Sequence, residues 1–209
     1  DIASHPNERY FVYKSIILQN LFGVDIMEEA IEICKLRLFL KLAAQLDNPT
    51  NIEPLPDIDF NIKAGNTLIG YTSPEDVQKA IDRKGFDFDN SLEKIQSGAE
   101  DLNAAFIAFR EKQIELGGEV TPLEKDNLSI RLREMEEKLN RYIVKDYEID
   151  LDENSNIESV KDYQDWKLSH KPFHWWIEFY GIMSHGGFDV VIGNPPYVTL
   201  AVADKHLRE

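Results

Sequence analysis

The chain has 209 residues, 43% hydrophobic and 11% aromatic, and carries a net charge of −15 from 23 Lys plus Arg against 38 Asp plus Glu. That length can bury one sizeable core with a smaller appended module. No run approaches the ~20 apolar residues of a membrane span. The opening Asp1-Ile2-Ala3-Ser4-His5-Pro6 has no basic stretch leading into an apolar one, so no signal peptide is read. The lone Cys34 has no internal partner, and a soluble cytoplasmic protein is expected. Such acidity excludes this stretch as a phosphate-collecting surface in its own right, so any grip on DNA would lie elsewhere in a longer protein.

From the start, Tyr10, Phe11, Tyr13, Ile16, Ile17 and Leu18 predict a short helix over Asn7 to Gln19. Leu21 to Asp25 reads as a buried strand ending in an acid. Ile26-Met27-Glu28-Glu29-Ala30 then opens a helix whose first-turn acids suit the helix dipole. Ile31, Cys34, Leu38 and Leu42 give this helix one apolar face as far as Leu46. An acid at that junction either binds ribose hydroxyls, as in nucleotide-binding α/β sheets, or caps the helix. After a polar loop, Asp47 to Pro56, the alternation of Phe60, Ile62 and Ala64 predicts an edge-like strand ending at Gly65-Asn66. Asn66 is either a ligand-binding amide or a turn asparagine.

Ser73 to Asn90 is polar and charged, with Gly85 to Asp89 as an irregular patch. Two helices follow. The first carries Leu102, Phe106, Phe109 and Leu116 on a four-three rhythm, with Gln113 in the gap, and ends at Gly117-Gly118. The second opens on the capping box Thr121-Pro122-Leu123-Glu124 and runs through Leu128, Leu132, Met135, Leu139 and Tyr142. These should form an antiparallel hairpin, whose charged outer faces are either merely solvated or dock DNA or a partner domain. Glu148 to Glu158 reads as a mobile acidic loop. Phe173 to Tyr180 reads as a helix packed on the sheet rather than a base-stacking platform. His174 and His185 lack zinc-site spacing, so no metal site is expected.

Phe188 to Ile192 is a short β-branched run that predicts a strand buried in a parallel sheet, stopped by Gly193 and two prolines. Beyond it, Asn194-Pro195-Pro196-Tyr197 offers a side-chain oxygen, carbonyl acceptors with little donor competition, and an aromatic face. A planar group bearing an amine suits that set, its N–H hydrogens accepted and its ring stacked. Asp25, Asn66 and Asn194 each fall just past the carboxyl end of a predicted strand, the edge where open α/β sheets bind ligands.

Asn194-Pro195-Pro196-Tyr197 after an apolar strand resembles the catalytic motif of S-adenosylmethionine-dependent amino-methyltransferases, above all the DNA adenine-N6 methyltransferases. Gly23-Val24-Asp25-Ile26 and its Glu-rich helix resemble that family's second motif, which implies that Asp25 holds the ribose of S-adenosylmethionine and Ile26 packs on its adenine. Gly65-Asn66 resembles the third, in which Asn66 would meet the adenine amino group. Phe173-His174-Trp175-Trp176, followed by Gly186 through Val198, resembles large bacterial adenine methyltransferases of restriction–modification systems, some of which also carry a nuclease. This longer match favours adenine in DNA over glutamine in protein, whose methyltransferases share the tetrapeptide.

The implied fold class is α/β: a partial Rossmann-like S-adenosylmethionine-dependent methyltransferase sheet with a long α-helical hairpin insertion. Residues 1–72 would carry the ribose and adenine motifs, 73–170 a mainly helical insertion, and 171–209 the return to the methyltransferase domain. The family's glycine-containing first motif is not found before Asp25, and twelve residues follow Tyr197. The expectation is therefore the middle of a catalytic domain, inactive by itself, whose sheet is gapped, re-paired or completed by a strand from a second copy. The alternatives are a protein-glutamine N-methyltransferase and a non-catalytic scaffold.

Overall fold

In the computed structural model, residues 5–46, 52–83, 91–115, 118–149, 151 and 160–194 are described. The first helix, α1 (Glu8–Asn20), buries Tyr10, Ile17 and Leu18, and delivers the chain to strand β1 (Gly23–Asp25). Helix α2 (Glu28–Ala43) then carries it back to strand β2 (Ile62–Ala64), which pairs in parallel with β1 in the register Gly23↔Ile62, Val24↔Lys63 and Asp25↔Ala64. A parallel pair needs such a crossover, and α2 is it. Ile31 and Leu42 are buried against α1, with Cys34 and Leu38 half-buried beside them, as the periodicity predicts. Ile33, Leu36 and Leu40, on the other side of α2, are exposed.

Asn61 sets where β1 begins. Its buried amide donates to the carbonyls of Ile17, Leu18 and Leu21 at 3.2, 3.0 and 3.1 Å, which answers orphan acceptors at the end of α1. Its backbone carbonyl accepts from Gly23 N at 2.9 Å. Asn61 thus links the end of α1 to the root of both strands.

The second half is helical. Helix α3 (Pro74–Asp82) falls in the stretch read as polar and charged; Ser73 caps it through Asp76 N, Pro74 sits in the first turn, and only Val77 and Ile81 are buried. Three apolar positions in nine residues, Val77, Ala80 and Ile81, left its face hard to read, whereas the Ser-Pro-Glu-Asp start was its legible signal. Helices α4 (Ser91–Ile114) and α5 (Pro122–Ile143) form the predicted pair. They run antiparallel, since Lys112 near the end of α4 meets Glu124 at the start of α5, while Gly98 early in α4 lies against Met135 late in α5. The Thr121–Glu124 capping box is formed in both directions.

This pair does not keep a core to itself. Leu102, Phe106, Phe109, Leu128, Leu132 and Leu139 pack with Phe60 and Tyr71 from the β2 region and with Trp176, Ile177 and Tyr180. Each such side chain contributes roughly 1.5–3 kcal/mol of hydrophobic stabilisation. Gln113 is buried as well, accepting from Asp57 N at 2.6 Å.

Helix α6 (Lys161–His170) ends at Lys171, and two single-turn helices follow, α7 (Trp175–Glu178) and α8 (Tyr180–Met183). The aromatic run is therefore broken at Phe179, and its Trp176, Ile177 and Tyr180 pack into the α4/α5 core rather than onto a sheet face. Two three-residue strands offer too little face to receive them.

The largest departure from expectation concerns Phe188 to Ile192, which bends at Asp189, forms no strand and pairs with nothing among the described residues. Val190, Val191 and Ile192 are 74%, 80% and 92% exposed. A buried parallel strand needs a ladder neighbour and cover on both faces. Among the described residues β1 pairs with β2 alone, and its other edge has no strand to hand the ladder on. The observed sheet is thus two-stranded, within a mostly helical α/β arrangement. Gly85 to Asp89 and most of Glu148 to Glu158 lie outside the described residues.

No helix among the described residues is long and apolar enough to cross a membrane. No group of three or more His, Cys, Asp or Glu side chains there could hold a metal ion.

Candidate functional site

Asp25 ends β1 with its side chain exposed, and Asn66 lies two residues past β2, half-buried. The parallel register makes them neighbours, because Gly65 N donates to Asp25 O at 2.9 Å and continues the ladder one step beyond Ala64. Two of the residues read as ligand-binding thus converge at the carboxyl ends of adjacent parallel strands, where main-chain groups and helix starts face outward.

Both also shape their own turns. Asp25 Oδ1 accepts from Met27 N at 2.8 Å, and Asn66 Oδ1 accepts from Leu68 N at 3.1 Å. The residue preceding α2 is Met27, which has no capping side chain, so Asp25 substitutes from two residues upstream. Among the described residues Asp25 Oδ2 takes no partner, and a carboxylate or amide oxygen can accept more than one hydrogen. Ile26 is 51% exposed beside them.

Asn194 is exposed on the unpaired stretch, and no described contact brings it to Asp25 or Asn66. Pro195, Pro196 and Tyr197 lie outside the described residues. What holds the root of that stretch is Phe188, which packs edge-on against Phe22, just before β1, at 5.8 Å, and against Phe179 at 5.5 Å. The segment leading to Asn194 is therefore rooted beside the start of β1.

Several residues at this rim escaped the sequence reading. Residues 66–71 and 171–176 are laced together: Asn66 N donates to Lys171 O at 2.7 Å, Phe173 N to Ile69 O at 2.7 Å, and Trp176 N to Tyr71 O at 3.1 Å. Two glycines permit the approach. A Cβ on Gly65 would sit 2.7 Å from Phe173 Cδ2, and one on Gly70, whose φ is +147°, would sit 2.1 Å from Phe173 O. Spacing of more than a hundred residues hides this pairing from any local pattern.

Behind the rim lies a buried charge cluster. Lys63 of β2 is ion-paired with Glu178 of α7, both side chains largely buried, and its ammonium faces the rings of Phe60, Phe106 and Phe179 at 5.7–5.9 Å. Burial pushes the Glu136 carboxyl well above the usual carboxylate range, reinforced by the charge of and hydrogen bond to Glu178. Burial opposes ionisation of Glu178 too, but Lys63 and the hydrogen bond from Glu136 hold it below its ordinary value. Glu136 is thus the protonated partner and Glu178 the carboxylate. A cavity of about 460 Å³ is lined by both acids together with Ile31, Lys35, Lys63 and Ala64; none of Asp25, Asn66 and Asn194 lines it.

His174 is buried beside this cluster. Its Nδ1 accepts from Tyr71 N at 3.2 Å and its Nε2 meets Asn140 Oδ1 at 2.9 Å, so the network requires a neutral ring with the proton on Nε2. Burial lowers its pKa to about 4. It is a structural histidine rather than a metal ligand or base.

A small parallel α/β unit therefore presents an acid and an amide at one carboxyl edge, the kind of edge at which open α/β sheets bind ligands, and the segment leading to Asn194 is rooted beside it through Phe188. The chain belongs to the Eco57I restriction-modification methylase family, which it matches over residues 19–208. It is 29% identical over 237 aligned positions to the "Putative type II restriction enzyme and methyltransferase RM.MjaORFECS2P" of Methanocaldococcus jannaschii, a match covering 92% of this chain and 19% of that protein. The chain therefore spans about a fifth of the length of that curated relative. No solved structure matches it significantly.

Proposed function

We propose that the chain is the central part of the catalytic domain of a restriction–modification DNA methyltransferase that methylates N6 of adenine with S-adenosylmethionine. In this reading residues 1–72 and 171–209 belong to a Rossmann-like methyltransferase domain and 73–170 to a mainly helical insertion. The observation that carries the reading is the junction of Asp25 and Asn66 through the Gly65 N to Asp25 O bond, in a chain of this family.

The residues present fit the cofactor. The exposed Asp25 carboxylate has an oxygen to spare for ribose hydroxyls, Ile26 offers an exposed apolar surface for adenine, and Asn66 keeps amide capacity for its amino group. S-adenosylmethionine supplies an electrophilic methyl on a sulfonium. The chain's own residues do the rest. The target adenine is flipped from the duplex, since its N6 is otherwise paired within the stack. The Asn194 side-chain oxygen and the Pro195 carbonyl accept the two N6 hydrogens, Pro196 stiffens the corner, and Tyr197 stacks on the ring. Holding those hydrogens draws the nitrogen lone pair out of the ring and raises its nucleophilicity. The surplus proton leaves to solvent afterwards.

Because Val190 to Ile192 are unpaired, nothing among the described residues fixes Asn194 against the Asp25 rim, so the 209-residue chain by itself should transfer no methyl group. Adenine methylation by this chain alone would overturn that. The main test is the full-length protein with labelled S-adenosylmethionine and DNA, RNA or protein as acceptor. Label at adenine N6, abolished by Asn194→Ala with cofactor binding retained and weakened in affinity by Asp25→Ala, is expected. Label in protein glutamine, or in no acceptor, would replace the reading with one of its alternatives.

A further inference from the structure

Lys171 occupies a left-handed backbone conformation, φ 47° and ψ 55°, at the end of α6, where its N–H closes the helix on Lys167 O. Glycine is the usual residue there, and a lysine pays a steric penalty for the same turn. Its backbone carbonyl accepts from Asn66 N, while its ammonium reaches the Ile26 carbonyl at 3.4 Å and the Glu28 carboxylate at 3.2 Å. One residue therefore touches both the β1–α2 junction and the loop after β2.

Four residues on, Trp175 makes the complementary link. Its indole Nε1 donates to Thr67 O at 3.3 Å, and its ring packs edge-on against Phe188 at 6.0 Å and tilted against Phe179 at 5.7 Å. Between the two, Pro172 forms a parallel bridge with Asn66, and Phe173 fills the space that Gly65 and Gly70 leave open. The strap from Lys171 to Trp175 thus reaches all three loops, those after β1 and β2 and the one rooted at Phe188.

We infer that Lys171 and Trp175 are positioning residues: the 171–175 strap sets the mutual placement of the Asp25–Ile26 and Asn66–Thr67 segments and of Phe188, the root of the segment that leads to Asn194. Lys171 ties the first to the second by its side chain and its carbonyl, and Trp175 ties the second to the third. The functional half of this inference rests on the methyltransferase reading. The structural half does not.

The two halves are tested separately. In the 209-residue chain, amide hydrogen exchange is compared for Lys171→Gly, which keeps the left-handed turn and removes the ammonium, and Trp175→Phe, which removes the indole donor. Lys171→Gly should speed exchange near Met27 to Glu29 by about two- to fivefold, the scale of an exposed ion pair, and leave Asn66 N unchanged. Trp175→Phe should act near Thr67 and Leu68 instead. Uniform acceleration of all amides, or none, overturns the strap.

In the full-length protein, Lys171→Gly should weaken S-adenosylhomocysteine by about two- to fivefold with recovery in Lys171→Arg. Trp175→Phe should leave that affinity in place and slow single-turnover methylation. Unchanged affinity in Lys171→Gly, or equal loss in Lys171→Arg, overturns the role of the ammonium. If the unaltered full-length protein binds no S-adenosylhomocysteine, the methyltransferase reading falls while the exchange pattern still decides the strap.

Discussion

Acidification should unlock the buried His174 network, and its size follows from the geometry. The ring accepts from Tyr71 N through Nδ1 and is bound to Asn140 through Nε2; Asn140 Nδ2 in turn donates to the Tyr163 hydroxyl at 3.0 Å, which binds Glu137. Protonating Nδ1 would turn an acceptor into a donor facing another donor. Burial is the main reason the pKa falls to about 4 from its ordinary 6.5. The folded pKa lies below the unfolded one, so the contribution is full above about pH 6.5 and is lost as pH falls toward 4. At about 1.4 kcal/mol per unit, the whole window is worth about 3 kcal/mol, of which about 2 is gone by pH 5.

Urea unfolding of the chain and of His174→Gln between pH 4.5 and 7.5 reads this directly. Glutamine can accept from Tyr71 N and donate to Asn140 without titrating. The difference in stability between the two proteins should shift by about 2.5 kcal/mol across that window, in favour of the variant at the acid end. A pH-independent difference, or a His174 titration near 6.5 by nuclear magnetic resonance, would refute the reasoning.

Glu136→Gln should show the opposite trend. The raised Glu136 pKa means that its contribution is present below the ordinary carboxylate pKa and lost as pH rises through the raised value, so the variant should gain on the parent from pH 5 to pH 8 in the same unfolding assay. Lys63→Met strands the buried Glu178 charge and should cost about 3–5 kcal/mol at neutral pH, partly recovered by adding Glu178→Gln. Gly70→Ala places a Cβ against Phe173 O at a positive φ and should cost at least about 2 kcal/mol, read as a lowered thermal midpoint. Thr121→Ala removes one half of the capping box and should cost about 1 kcal/mol, whereas Thr121→Ser should recover most of it.

Local patterns carried much of this molecule. The helix periods of α1, α2, α4 and α5, the Thr121 capping box and the short strands around Val24 and Ile62 could be read because each depends on residues within a turn or two of one another. The likeness of Asn194 to Tyr197 and its flanks to an amino-methyltransferase motif was equally legible, and the family match bears out its coarser part, a restriction–modification methylase. Asp25 and Asn66 were singled out because an acid or amide just past a strand is a local feature too.

What only the tertiary structure decided is how far-apart segments meet. The apolar run at Phe188 to Ile192 specifies a residue set fit for a buried strand, yet burial requires a neighbour, and β1 offers it no ladder. The Lys63–Glu178–Glu136 cluster, the neutral His174 and the strap at Lys171 and Trp175 join residues between about 30 and 145 positions apart. No periodicity encodes such contacts. Side-chain chemistry was written along the chain, but charge states, pairings and exposure were settled by which surfaces the fold pressed together.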